Sequence, residues 1–129
     1  MTTTAQESTL DCDLLVIGGG MAGLSAAGYA AEHGARVVLL EKAPDIGGSA
    51  ALSGGFVWTA NSPERLQLYA GGRPELGEVV LRNYSRGLAW MREREITVGN
   101  AVNVLHGRGY QVDLPAHFAS CVNLVEQHE

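Results

Sequence analysis

A run of closely spaced glycines near the start of the chain could bind a phosphate group. Gly18, Gly20 and Gly23 follow the apolar segment Leu14–Ile17 and precede an alanine-rich segment. In a strand–turn–helix unit, the first glycine permits a tight turn and the second leaves room for a pyrophosphate beside the backbone. The third lets the helix approach the sheet. Unpaired N–H groups and the positive dipole at the start of such a helix favour an anion. The spacing therefore predicts a dinucleotide site built on backbone amides.

An acidic residue stands where such a site needs an acceptor for a ribose. Glu41 follows the second apolar segment, Val37–Leu40, and is expected at the carboxyl end of the second strand. A carboxylate there accepts hydrogen bonds from ribose hydroxyls and repels a 2′-phosphate, which favours FAD or NAD over NADP. Ala27 is small enough to pack on the sheet, and Gly34 can end the helix in a left-handed conformation. A glycine-rich turn that binds nothing is disfavoured, because the whole strand–turn–helix–strand context is present.

The elements that must position these residues follow from the apolar patterning. The first strand is nearly all apolar, as a parallel strand covered on both faces should be. Serine and proline at 62 and 63, and proline at 74, are typical of helix starts. Valines at 102 and 104 indicate a short strand, His106–Gly109 reads as a turn, and Gln111–Glu129 carries no clear pattern. The predicted strands are 12–17 and 35–40, and the predicted helices are 21–33, 63–70 and 74–95.

A second glycine cluster follows the predicted βαβ unit. Gly47-Gly48-Ser49 leads into Ala50–Leu52 and predicts a short helix with Ser49 near its N-cap, which would offer further free N–H groups. Gly54 and Gly55 give another place where the backbone can approach a flat ligand. The fold class predicted overall is α/β: a Rossmann-like FAD/NAD(P)-binding βαβ unit with a parallel sheet, incomplete, followed by helices.

Composition excludes several classes of function. A chain of 129 residues is about one domain, and its net charge of −5 argues against a nucleic-acid partner. No apolar run is long enough to cross a membrane. Residues 1–10 lack the features of a secretory signal and are expected to be a disordered lead-in. Cys12 and Cys121 have no metal-ligand spacing; a disulfide is possible, but reduced thiols in a cytoplasmic protein are favoured.

Four short segments and one tryptophan match a known pattern: Ile17–Gly23, Leu40–Lys42, Gly47–Ser49, Ser53–Gly55 and Trp58. They resemble the N-terminus of FAD-dependent oxidoreductases in the group of the fumarate reductase and succinate dehydrogenase flavoproteins. Within that group the chain is similar to the soluble branch that includes 3-ketosteroid dehydrogenases and tricarballylate dehydrogenase. The second glycine pair separates this family from NAD enzymes that share the first fingerprint.

The resemblance implies a site for FAD. The first glycine turn would hold the pyrophosphate, and the acid and the lysine after the second strand would lie at the adenosine ribose. The second glycine cluster would contact the phosphates, the ribityl chain and the isoalloxazine. In members that tether FAD covalently a histidine occupies the position of Gly48, so the flavin here should be bound non-covalently. The implied cofactor-binding residues are Gly18, Gly19, Gly20, Met21, Ala22, Gly23, Glu41, Lys42, Gly48, Ser49, Ala50, Ser53, Gly54 and Gly55.

The resemblance also implies the chemistry of the parent protein, a dehydrogenase or reductase acting on a carbon–carbon bond beside a carbonyl or carboxylate of a small-molecule substrate. Members of the family are several times longer than this chain. We therefore expect residues 11–129 to be the N-terminal part of an FAD-binding domain, without turnover by itself. An incomplete sheet exposes edges and apolar faces, which invites a complementing chain or a homo-oligomer. The alternatives are an NAD-binding oxidoreductase domain and a non-catalytic nucleotide-binding fragment completed by a partner chain.

The sequence identifies no catalytic residue and no metal ligand. His33, His106, His117 and His128 could each be proposed as a general base, but none has a serine, cysteine or acid arranged around it. Arg108, between two glycines, is expected to lie in a solvated turn.

Overall fold

The computed structural model describes residues 9–70, 72–104 and 107–127 of the chain. They form two compact units: the residues up to Gly48 together with those from Ser120 onward are unit one, and Ser49–Ala119 are unit two. The elements in chain order are β1 (Leu14–Ile17), α1 (Met21–Glu32), β2 (Val37–Leu40), α2 (Gly48–Ala51), β3 (Phe56–Ala60), α3 (Pro63–Ala70), α4 (Pro74–Glu93), β4 (Val102–Val104), β5 (Gly107–Gln111) and α5 (Leu114–Glu126).

Unit one contains the predicted βαβ arrangement. Strands β1 and β2 pair in parallel, with Leu14 opposite Val37 and Ile17 opposite Leu40. Helix α1 connects them and buries Ala27 and Ala31 completely against the sheet. Gly34 has a φ of 86°, the left-handed conformation expected after a helix. The predicted α/β class and the parallel sheet are confirmed.

One face of this two-stranded sheet is open, and here the expectation of a strand covered on both faces was wrong. Val16 packs against the cluster formed by α1, so its neighbours Leu15 and Ile17 point the other way. Leu15 is 50% exposed, Ile17 is 81% exposed and Leu40 on β2 is 52% exposed. The apolar pattern of a parallel strand is present, but the described chain supplies no layer to cover this face.

Helix α1 packs closely on α5 as well as on the sheet. A Cβ added to Gly28 would lie 3.0 Å from the Cα of Cys121, which is fully buried. Helix α5, which begins after Asp113, was not predicted, because residues 111–129 carry no clear sequence pattern. The carboxylate of Asp113 accepts a hydrogen bond from the N–H of Ala116 at 3.1 Å, as an N-cap residue does. Neither Cys12 nor Cys121 forms a disulfide bond within the described part of the chain.

Unit two is built on an antiparallel sheet, in the order β3–β5–β4, which was not predicted from the sequence. Strand β4 agrees with the predicted strand, whereas β3 was missed. Residues 107–109 lie in β5, so the predicted turn there was wrong; His106, like Gly71, lies outside the described residues. A Cβ on Gly109 would overlap the ring of Phe56, and one on Gly107 would overlap the carbonyl of Thr59 and the indole of Trp58. These glycines therefore leave room for aromatic rings within a strand.

Helix α4 is attached to this sheet by a tyrosine. The hydroxyl of Tyr84 donates a hydrogen bond to the carbonyl oxygen of Val57 at 2.8 Å, and the side chain is partly buried. We expect Tyr84→Phe to lower the free energy of unfolding by about 1 kcal/mol, because one partly buried hydrogen bond is lost. Urea denaturation measures the change. Tyr110→Phe is the matched control. An equal loss of unfolding free energy in both variants would show that the hydrogen bond from Tyr84 to Val57 does not stabilise the fold.

Candidate functional site

The glycine turn between β1 and α1 has the geometry that its spacing predicts. Gly18 has a φ of 107°, in the left-handed region, and its N–H donates to the carbonyl of Leu40 at 2.7 Å. A Cβ on Gly23 would overlap the carbonyl oxygen of Gly18 and lie 3.3 Å from Val16 Cγ1. Only glycine at position 23 lets the first turn of α1 come this close to the end of β1.

The start of α1 presents backbone N–H groups that its own helix cannot satisfy. The first intrahelical bond runs from the N–H of Leu24 to the carbonyl of Gly20 at 2.9 Å, so the three residues between them have no intrahelical acceptor. No side chain caps the helix at Gly20, and its first turn contains no acidic residue. Added Cβ atoms on Gly18 and Gly20 would come no closer than 4.0 Å to anything. The turn therefore combines N–H groups that have no intrahelical acceptor and a positive dipole end with open space, as a diphosphate requires.

Glu41 directly follows β2, as predicted, and it is held by two backbone amides that the sequence did not reveal. Its Oε2 accepts a hydrogen bond from the N–H of Gly19 at 2.6 Å, and its Oε1 accepts one from the N–H of Ala43 at 2.8 Å. These bonds, with the one from Ala43 contributing most, lower the pKa of the Glu41 carboxyl. Each carboxylate oxygen retains a second lone pair, so the group can still accept from a ribose hydroxyl.

The lowered pKa predicts how the turn responds to acid. A carboxyl group whose folded pKa lies below its ordinary value of 4.5 stabilises the fold fully above that value. The contribution is lost as the pH falls through the lowered pKa. We expect the amide resonances of Gly19 and Ala43 to titrate together, with a midpoint below 4.5. A ¹H–¹⁵N NMR titration tests this; independent midpoints, or one at or above the ordinary value, would contradict it.

The first part of the second glycine cluster lies against this turn, within unit one. The N–H of Gly47 donates to the carbonyl of Gly19 at 2.7 Å, and Gly20 and Gly47 form an isolated parallel bridge. A Cβ on Gly48 would lie 3.5 Å from the Cα of Gly20. The structure therefore brings together Gly18–Gly23, Glu41 and Gly48 from the predicted set, while the exposed Lys42 follows Glu41.

The remaining predicted residues, from Ser49 to Gly55, belong to unit two. Helix α2 begins at Gly48, so Ser49 lies in its first turn and not at its N-cap. The hydroxyl of Ser53 donates to the carbonyl of Ala50 at 2.8 Å and accepts from the N–H of Gly55 at 3.2 Å. Gly55 is left-handed, with a φ of 74°, and a Cβ on it would lie 2.5 Å from the carbonyl oxygen of Val112. A Cβ on Gly54 would meet nothing within 4 Å, so the space beside Gly54 is open.

The histidines form no catalytic group in the described chain. His33 is the C-cap of α1, and its Nδ1 lies 2.7 Å from the carbonyl oxygen of Tyr29. His117 is fully buried, its ring meets that of Trp90 edge-on, and burial lowers its pKa. His106 and His128 lie outside the described residues. Among residues 9–70, 72–104 and 107–127, no group of three or more potential metal ligands occurs.

The glycine turn lies within a segment that matches a known protein family. Residues 13–96 match the model of a family described as an FAD binding domain. The chain belongs to this FAD-binding family. Its relatives place it among the flavoproteins of the fumarate reductase and succinate dehydrogenase group, and FAD is the cofactor of the family.

Two curated relatives and one solved structure illustrate the relationship. The chain is 40% identical over 81 residues to 4-oxocyclohex-2-ene-1-carboxylate 5-dehydrogenase of Sinomonas cyclohexanicum, covering 63% of this chain and 13% of the relative. It is 33% identical over 107 residues to 3-oxosteroid 1-dehydrogenase of Mycobacterium tuberculosis strain H37Rv, covering 61% and 19%. The chain thus spans less than a fifth of either relative.

The fold has a counterpart among solved structures. A 3-ketosteroid-delta4-(5alpha)-dehydrogenase from Rhodococcus jostii RHA1, in complex with 4-androstene-3,17-dione, superposes with a TM-score of 0.68 at 20% identity. The match covers 98% of this chain and 38% of the solved chain. At this identity it supports the fold of an FAD-binding domain. None of the helices in the described ranges is both long enough and apolar enough to cross a bilayer.

Proposed function

We propose that this chain supplies the nucleotide-binding start of a flavin-dependent dehydrogenase or reductase, and that it binds FAD non-covalently. The proposal assigns the pyrophosphate to Gly18, Gly19, Gly20, Met21, Ala22 and Gly23. Glu41 and Lys42 are assigned to the adenosine ribose. The rest of the cofactor is assigned to Gly48, Ser49, Ala50, Ser53, Gly54 and Gly55. The flavin, once bound, supplies the hydride-transfer chemistry.

The observation that carries the proposal is the uncapped start of α1 beside Glu41. An anion at the helix start would accept from the N–H groups of the first turn that have no intrahelical acceptor. One acidic side chain is already oriented by two amides next to them, and open space surrounds Gly18 and Gly20. Gly48 carries no side chain that could form a bond to the flavin, which supports non-covalent binding.

The substrate of the parent protein is proposed by analogy with the relatives. Their names describe an oxocyclohexene carboxylate and an oxosteroid, which are both carbonyl compounds. We infer a small-molecule substrate in which the reacting carbon–carbon bond lies beside a carbonyl or carboxylate group. A cytoplasmic location and a complementing chain or homo-oligomer are part of this proposal, and no catalytic residue is assigned.

Titration of the purified chain with FAD, ADP and NAD tests the cofactor assignment. We expect FAD to bind about tenfold more tightly than NAD, because only FAD carries the flavin that the second glycine cluster contacts. Denaturation should release the flavin, as non-covalent binding requires. A folded chain that prefers NAD, or a flavin that stays attached after denaturation, would contradict the proposal.

A variant at Gly54 separates the two halves of the cofactor. Because the space beside Gly54 is open and its backbone is not left-handed, we expect Gly54→Val to fold normally. The added side chain would occupy the space assigned to the isoalloxazine. We expect the affinity for FAD to fall to that for ADP, while the affinity for ADP itself stays unchanged. An unchanged affinity for FAD would remove Gly54 from the site.

A further inference from the structure

Unit two contains an open cavity of about 720 Å³ that the FAD assignment does not use. Phe56 and Trp58 share one face of β3, so Val57 and Thr59 lie on the opposite face. The antiparallel register pairs Thr59 with Arg108 and Val57 with Tyr110, which brings these four residues to the same face. Helices α3 and α4 supply the rest of the lining, including Leu81, Arg82 and Tyr84.

Thr59 lines this cavity, and its buried hydroxyl group is unsatisfied. The residue is 7% exposed, and its Oγ1 is buried with no hydrogen-bond partner among the described residues. A buried polar group in this state costs free energy, because it has given up its hydrogen bonds to water. Rotation about χ1 exchanges the hydroxyl with the methyl group, which can turn the donor toward the cavity. A ligand acceptor placed there would remove the penalty.

The charge of the cavity favours an anion. Its charged lining residues are Glu78, Arg82 and Arg108, an excess of one positive charge in a protein whose net charge is −5. Arg82 pairs with Glu78 at 3.5 Å. Arg108 makes no ion pair with any residue that the structure describes, and it lies directly opposite Thr59. Arg108 and Thr59 are therefore neighbours on the face of the sheet that lines the cavity.

We propose that this cavity binds a compact organic carboxylate. Arg108 pairs with the carboxylate, the Thr59 hydroxyl donates a hydrogen bond to it, and Leu81, Tyr84 and Tyr110 contact the apolar body of the ligand. Guanidinium and carboxylate match in geometry, and charge-assisted bonds are the stronger kind. Thr59 lies four residues beyond Gly55 on an extended strand, roughly 13 Å away, so this site is separate from the residues assigned to the flavin and does not depend on FAD binding.

Benzoate is the probe that tests the proposal, with benzamide as its uncharged analogue and inorganic phosphate as an anion without an apolar body. Binding to the full purified chain is followed by ¹H–¹⁵N NMR, with shifts expected in 57–60 and 107–111. We expect benzoate to bind at least about tenfold more tightly than benzamide or phosphate, because only benzoate offers both the charge and the ring. Absence of benzoate binding, or equal binding of either other probe, would overturn the proposal.

Two variants and a control locate the site. We expect Arg108→Met to weaken benzoate binding about tenfold, the effect of losing one charge-assisted contact. Arg65→Met, on an exposed part of α3 outside the cavity, should leave it unchanged. Thr59→Val keeps the shape of the side chain and should retain or raise stability while weakening benzoate binding. If Arg108→Met folds poorly, Thr59→Val tests the location of the benzoate site.

Equal effects of the two arginine variants, or unchanged binding in Thr59→Val, would overturn the assignment. ADP binding at the glycine turn, measured in the same variants, should not change. A failure of this proposal is thereby distinguished from a failure of the FAD assignment.

Discussion

Replacing Gly23 with alanine is expected to weaken FAD binding more than about 100-fold. The added Cβ overlaps the carbonyl oxygen of Gly18, which is backbone and cannot rotate away. The first turn of α1 must therefore move from the end of β1, and its free amides leave the positions that a diphosphate requires. Overpacking of this kind also lowers the free energy of unfolding, by about 1–3 kcal/mol. Calorimetric titration with FAD and with ADP measures the loss, which should be equal for both ligands.

A second glycine-to-alanine change separates this clash from a general effect of the substitution. Gly87 lies in helix α4, and a Cβ added there would meet nothing within 4 Å. Gly87→Ala should leave ligand binding unchanged and raise stability by up to about 1 kcal/mol, the difference in helix propensity. If Gly23→Ala bound ADP as tightly as the unmodified chain, the pyrophosphate could not lie at this turn.

Replacing Glu41 with arginine is expected to weaken the binding of FAD and of ADP at least about tenfold. The change removes the acceptor assigned to the ribose, and it also releases the N–H groups of Gly19 and Ala43. Arginine would attract a 2′-phosphate. In the same variant, the affinity for 2′-phospho-ADP-ribose should therefore come closer to the affinity for ADP-ribose. Competition titrations with the two nucleotides measure this change in preference.

The matched control for that variant is Asp45→Arg, which makes the same change of charge at an exposed position four residues further on. This variant should bind FAD and ADP as tightly as the unmodified chain, because no contact assigned to the nucleotide involves Asp45. Equal effects of Asp45→Arg and Glu41→Arg would mean that overall charge, and not the ribose contact, determines the affinity.

The βαβ unit could be predicted from the sequence because its requirements are local. Gly18 lies in the predicted tight turn, Gly34 adopts the predicted left-handed conformation, and β1, α1 and β2 follow the apolar pattern. The two amides that hold Glu41 could not be predicted, because they depend on how the loop after β2 folds back on the glycine turn. The close approach of Gly28 to Cys121 could not be predicted either, because Cys121 lies on a helix that no sequence pattern indicated.

The antiparallel sheet was not predicted because glycines within a strand resemble those of a turn in the sequence. Gly107 and Gly109 indicate a turn when only local preference is considered, whereas in the fold they accommodate the side chains of Phe56 and Trp58. Strand β3 did carry a signal, since aromatic and β-branched residues are enriched in strands. The glycine pair before β3 was interpreted as part of a ligand site, and no strand was predicted after it. Asp113 followed by proline two residues later was an available sign of the start of α5.

The open face of β1 and β2 has a consequence for how the chain behaves in solution. Leu15, Ile17 and Leu40 present a strip of hydrocarbon to water, and a net charge of −5 keeps neighbouring molecules apart. Salt shortens the range of that repulsion to about 8 Å at physiological strength, while it leaves the attraction between apolar strips intact. Colloidal stability should therefore decline as salt is added, whereas an association held by ion pairs between molecules would weaken as salt is added.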